Sequence, residues 1–92
     1  MDRENLESVL AERFGADADA VRVVGRQARD LADAGHIEAD LGFEITVTAI
    51  IDNLDDAPDS HGLVERWNWW LGSLELSHGG YEQFRIRPGA VE

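Results

Sequence analysis

The stretch Gly62–Tyr81, GLVERWNWWLGSLELSHGGY, holds all three tryptophans and the single tyrosine of the chain, and its reading decides the architecture. Leu63, Trp67, Trp70, Leu71 and Leu74 recur at i, i+4, i+7, i+8 and i+11, one apolar stripe of helical period that Val64 widens. Glu65, Asn68, Gly72 and Glu75 fall opposite. Trp69 and Leu76 fall opposite too, seven residues apart and on nearly the same meridian. Tryptophan is strand-prone, so an extended hairpin over Leu63–Leu76 is the competing reading. The period is helical rather than two-fold, and the stretch is read as a helix over about residues 61–77, capped by Asp59 or Ser60 and stopped by Gly79-Gly80. Such a helix buries one face and still presents a tryptophan on the other.

Before this helix, Ile37, Ala39, Leu41, Phe43, Ile45, Val47, Ala49 and Ile51 alternate with Glu38, Asp40, Glu44, Thr46 and Thr48. Period two predicts a strand with one buried face. Its firm part is placed at 42–51, with Gly42 as a bulge, bend or turn. Asp52–Ser60, DNLDDAPDS, reads as an acidic loop. After the helix, Tyr81–Arg87 reads as a second strand with Phe84 and Ile86 on one face, and residues 88–92 as a loose tail.

Two amphipathic helices come first. Residues 3–14 place Leu6, Val9, Leu10 and Phe14 on one face, with Asp2 as cap and Gly15 as stop. Residues 19–34 bury Ala20, Val21, Val24, Ala28, Leu31 and Ala32, after a cap at Asp17 or Asp19 and before a stop at Gly35. Gly25 lies inside that stripe, where a glycine costs about 1 kcal/mol against alanine, so close packing against another element is expected there. Arg22, Arg26 and Arg29 share the opposite side with Asp30 and Asp33. This is a solvated face with i,i+4 ion pairs rather than an anion-binding row.

The order is helix, helix, strand, helix, strand: a single α+β domain over residues 1–92. The third helix would carry the chain back so that a two-stranded β-α-β sheet forms, packed by helices. Two strands are marginal alone and leave open edges, so a homodimer is expected that either continues the sheet or packs the third helices together.

Composition sets the environment. Asp and Glu number 19 against 8 basic residues, all arginine, for a net charge of −11. A hydrophobic fraction of 43% argues for a folded chain. The acidity with no lysine points to an intracellular protein adapted to molar salt, where carboxylate repulsion is screened within about 3 Å. It counts against nucleic acid and against anionic membranes as partners. The start, MDRENLESVL, is acidic and amphipathic, unlike a signal peptide, and no cysteine is present, so a cytoplasmic location is expected.

No constellation points to catalysis or to a cofactor. His61 and His78 sit at opposite ends of the third helix, and His36 has no HxxxH or HExxH spacing, so no metal is expected. Asp55-Asp56-Asp59 lacks the order of a calcium loop. The serines have no nucleophile context. What stands out is aromatic: Trp67 and Trp70 read as core, while Trp69 and Leu76 lie off the buried stripe, either covered by the first two helices or a loop or left as an exposed apolar patch. The block RWNWWLGSLELSHGGYEQFRIRP, about a quarter of the chain, resembles the C-terminal part of small, lysine-poor proteins of extremely halophilic archaea. The resemblance implies a cytoplasmic, salt-adapted protein and carries over no site residue. The functional expectation is a non-enzymatic interaction module, a homodimer or a subunit of a complex, with Trp69 and Leu76 at the interface. The alternative is a small-molecule or sensor domain with a pocket near Trp69, Asn68 and Tyr81.

Overall fold

In the computed structural model, which describes residues 2–87, Asp2 starts α1 (Arg3–Phe14) by accepting the Asn5 N–H, and Gly15 ends it in the left-handed conformation. Asp17 starts α2 (Ala18–Ala34) by accepting the Ala20 N–H at 2.9 Å, and Gly35 ends it. Both cappers satisfy backbone donors that the first helical turn leaves free. Leu6 and Leu10 of α1 are fully buried against α2, whose Val24, Ala28 and Leu31 are fully buried as well. The close approach expected at Gly25 is present. A Cβ there would lie 2.8 Å from Cγ of Glu7, so α1 crosses α2 where α2 has no side chain.

The tryptophan helix is α5, Leu63–Ser77. It packs on α2 and on α4, with α1 lying over α2 and reaching α4. Its N-cap is Gly62 rather than Asp59 or Ser60, and Glu65 accepts the Gly62 N–H at 3.1 Å. The stripe Leu63, Trp67, Trp70, Leu71 and Leu74 is buried as its period requires.

The α+β architecture is overturned: the described residues form helices and no strand. The alternating segment is two helices, α3 (His36–Leu41) and α4 (Val47–Asp55). Gly42 is a left-handed stop for α3 at φ 77°, not a strand bulge. Thr46 is the N-cap of α4, its hydroxyl accepting the Ala49 N–H. The alternation misleads because a strand must bury every second side chain, whereas here Ile37, Ile45, Ile50 and Leu54 are buried while Leu41 and Phe43 are exposed. Ile50 and Leu54 obey the i,i+4 rule of one helical face.

The second expected strand is also absent. Gly79 and Gly80, at φ 76° and 88°, reverse the chain after α5. Residues Glu82–Phe84 then form a 3-10 turn that packs on α2 and α5, followed by an extended step at Arg85. Without two strands there is no β-α-β crossover and no sheet to extend across a dimer. The expected tail at 88–92 lies outside the described residues. Buried side chains from all five helices and from Tyr81, Phe84 and Ile86 form one hydrophobic cluster. Among the described residues no helix is long and apolar enough to cross a membrane.

Candidate functional site

Four consecutive residues of α5, Trp67-Asn68-Trp69-Trp70, point in different directions and do different things. Trp67 is fully buried, and its indole Nε1 donates to the carbonyl of Phe84 at 2.9 Å. Trp70, also buried, meets the Trp67 ring edge-to-face with centroids 5.6 Å apart, a favoured geometry for paired aromatics. Asn68 turns to the flank. Its Nδ2 donates to the Ile86 carbonyl at 2.8 Å and its Oδ1 accepts the Ile86 N–H at 2.8 Å. That two-way exchange is what a residue in a neighbouring strand would provide. Asn68 thus stands in for a strand partner, and with Trp67 it clasps residues 84–86 onto α5. Glu75, two turns on, accepts the Tyr81 N–H at 2.7 Å and holds the other end of the same segment.

The opposite flank belongs to Arg66. It donates from Nε to the His61 carbonyl and from a terminal nitrogen to the Leu54 carbonyl at 2.9 Å, satisfying an acceptor in the last turn of α4. Its guanidinium also lies 5.1 Å over the Phe14 ring. Arg13 reinforces that corner by binding Asp55 at 2.7 Å, and this hydrogen bond and charge raise its already high pKa.

The outward face of α5 is left over. Trp69 is 37% exposed and Leu76 is 91% exposed. Between them lie Ser73, whose hydroxyl donates to the Trp69 carbonyl, and Gly72, where an added Cβ would meet nothing within 4 Å.

The four residues singled out for an interface or a pocket therefore do not converge. Tyr81 is fully buried, and its hydroxyl donates to Asp40 of α3 at 2.8 Å. Burial first, then that hydrogen bond and the Asp40 charge, push its pKa well above the usual phenol value. Both ends of the Asn68 amide are engaged. The shallow cleft beside Asn68 is lined by Glu82, Gln83, Arg85, Ile86 and Arg87, with neither Trp69 nor Tyr81 on its wall. His36 packs edge-on against Tyr81 and Phe84, tying α3 to the C-terminal segment. Among the described residues no three histidines or carboxylates gather as a metal ion would require. On α2, Arg29 approaches Asp33 at 3.8 Å and Arg22 approaches Asp19 at 3.4 Å, both pairs well exposed, as a solvated face implies.

Sequence reading missed Arg66 and Asp40. Arg66 lies one residue before the tryptophan block on neither the buried nor the outward meridian, which is where a side chain reaches over to a neighbouring helix. Asp40 carried no signal, because its role depends on α3 bringing it to a tyrosine 41 positions away.

Fold and site together define a small all-helical domain whose C-terminal segment is pinned to a central helix by a Trp-Asn pair. The WNWW domain family matches residues 1–75, and the chain belongs to that family. The family's name spells residues 67–70 of this sequence. Comparison with curated proteins and with solved structures returned no match.

Proposed function

We propose that this chain is a non-enzymatic protein-interaction module that works through the outward face of α5. The observation that supports it most is Trp69. Its neighbours in the motif are each consumed by the fold: Trp67 and Trp70 in the core, Asn68 in the clasp. Trp69 stays 37% exposed, and Leu76, two turns on, is 91% exposed. Exposed aromatic and aliphatic side chains at the centre of a polar surface are the usual anchors of protein contacts. The net charge of −11 and the absence of lysine support a salt-adapted, cytoplasmic setting, in which screening permits apolar contact between acidic surfaces.

The test is photo-crosslinking in cells that express the chain natively. A photoreactive amino acid replaces Leu76 in one variant and Arg26, on the exposed side of α2, in another. Discrete adducts from position 76 and none from position 26 are expected. Equal, diffuse labelling from both positions refutes the proposal.

A further inference from the structure

The segment Tyr81–Arg87 is held the way a protein holds a bound peptide. Its hydrogen bonds to α5 are made by its backbone, and the groups that meet that backbone are side chains. Trp67 Nε1 donates to the Phe84 carbonyl, Asn68 takes both the N–H and the carbonyl of Ile86, and Glu75 accepts the Tyr81 N–H. Among the described residues its backbone–backbone bonds, from Phe84 to Tyr81 and from Arg85 to Glu82, are internal to it. Side chains alternate along the gripped stretch: Phe84 and Ile86 are buried, Arg85 and Arg87 exposed. Main-chain bonds for affinity and alternate side chains for selectivity are how an extended peptide is recognised.

We infer that the groove over Trp67, between α2, α3 and α5, is a binding site for extended peptide segments. Tyr81–Arg87 is its intramolecular occupant, a strap that competes with such a segment supplied by another protein. This site is separate from the outward face of α5.

The helices keep a core without the strap. They pack on one another directly, α1 on α2 and α4, α5 on α2 and α4, and α3 on α2. Leu6, Leu10, Val24, Leu31, Leu54 and Leu71 are fully buried among them. Residues 1–75, the part that matches the WNWW family, include Trp67 and Asn68 and stop short of the strap. Gly79 and Gly80 join it to α5, both at positive φ. Glycine moves between backbone regions more freely than any other residue, so this pair is a hinge at which the strap swings clear as a unit.

Charge states the chemistry of the occupant. Arg85 and Arg87 against Glu82 give the strap a net charge of +1, on a remainder that carries −12. The preferred segment is therefore an aromatic residue and an aliphatic residue two positions on, with basic residues at the outward positions, as in Phe84-Arg85-Ile86-Arg87. A tethered occupant acts at an effective concentration of about millimolar, so a free peptide enters readily only where the strap is weakened.

The test keeps the full chain. Native-state hydrogen exchange reads the strap: the amides of Tyr81 and Ile86 should exchange together, at least about tenfold faster than those of Leu10 and Leu31 in α1 and α2. Fluorescence anisotropy reads the groove, with a labelled synthetic peptide of sequence YEQFRIR as the probe. Phe84→Ala loosens the strap and leaves the groove intact, so that chain should bind the probe at least about tenfold more tightly than wild type. Adding Asn68→Ala should reverse the gain, and a probe with alanine in place of its phenylalanine and isoleucine should not bind. Protection of Tyr81 and Ile86 equal to that of Leu10 and Leu31 overturns the strap, because the segment then leaves only when the domain unfolds. Loss of helical circular dichroism in Phe84→Ala overturns it for the same reason. A folded Phe84→Ala chain that gains no probe binding, or a gain that survives Asn68→Ala, overturns the groove. Photo-adducts from position 76 are independent of all these outcomes, so the two sites stand or fall separately.

Discussion

Replacing Asn68 by alanine removes two hydrogen bonds of 2.8 Å at once, both to the backbone of Ile86. Each such bond contributes about 1 kcal/mol net, and the half-buried setting lets water replace part of the loss, so a destabilisation of about 2 kcal/mol is expected. The Trp67–Phe84 bond survives and keeps Phe84 and Ile86, 7% and 4% exposed, in the core. For a domain of this size 2 kcal/mol lowers the melting temperature by roughly 8–16 °C. Circular dichroism melts in molar KCl measure it. Asn68→Asp sharpens the test. An ionised aspartate still accepts the Ile86 N–H but sets a carboxylate oxygen against the Ile86 carbonyl; its protonated form can donate there again. The folded state therefore favours the protonated acid, and the pKa is raised on folding. That variant's contact is intact below the unfolded aspartate pKa of about 3.9 and is lost as pH rises through the folded value. Its deficit relative to wild type should thus shrink towards pH 4. An Asn68→Ala protein that melts within 1–2 °C of wild type, below about 0.5 kcal/mol, would refute the clasp. So would an Asn68→Asp deficit that does not change with pH.

Trp67→Ala should cost about 3–5 kcal/mol and Trp69→Ala less than about 1 kcal/mol by chemical denaturation, because only the first empties a filled core site. Gly25→Ala should destabilise by driving a methyl group into Glu7, and Glu7→Ala should reverse that loss, which a double-mutant cycle of melting temperatures reports as coupling between α1 and α2. Tyr81 has a folded pKa raised above its unfolded value of about 10, so its share of stability is complete below pH 10 and lost as pH climbs through the folded value. Absorbance near 295 nm should show no tyrosinate until the chain unfolds, and Tyr81→Phe should flatten the alkaline decline. Because screening relieves the net charge of −11, the melting temperature should rise steadily as KCl increases to molar levels.

The helical parts of the fold were legible where local chemistry and periodicity agreed. Asp2 and Gly15 bracket α1, Asp17 and Gly35 bracket α2, and the five-membered stripe of α5 is the one found buried. Ile37–Ile51 was misread because alternation over a run with many small or partly exposed apolar residues imitates a strand. Its helix signals were present but weaker: Gly35 and Gly42 seven residues apart, Thr46 before an apolar run, and the Ile50–Leu54 pair. Tyr81–Arg87 was misread for a different reason. Its extended step at Arg85 is real, but its backbone partner is a side chain, and no pattern within the segment announces that Asn68 will meet Ile86.

The sequence by itself determined the acidic composition, the capped ends of α1 and α2, and the buried stripe of α5. These depend on charge count, on residues three or four positions apart, and on helical period, all of them local quantities. Tertiary structure alone decided that the middle of the chain is helical, that Asn68 bonds both backbone groups of Ile86, and that Tyr81 is sealed against Asp40. A strand exists only if another strand or its equivalent completes its hydrogen bonds. Which group completes them, across 18 residues for Ile86 and 41 for Tyr81, is settled by how the helices pack.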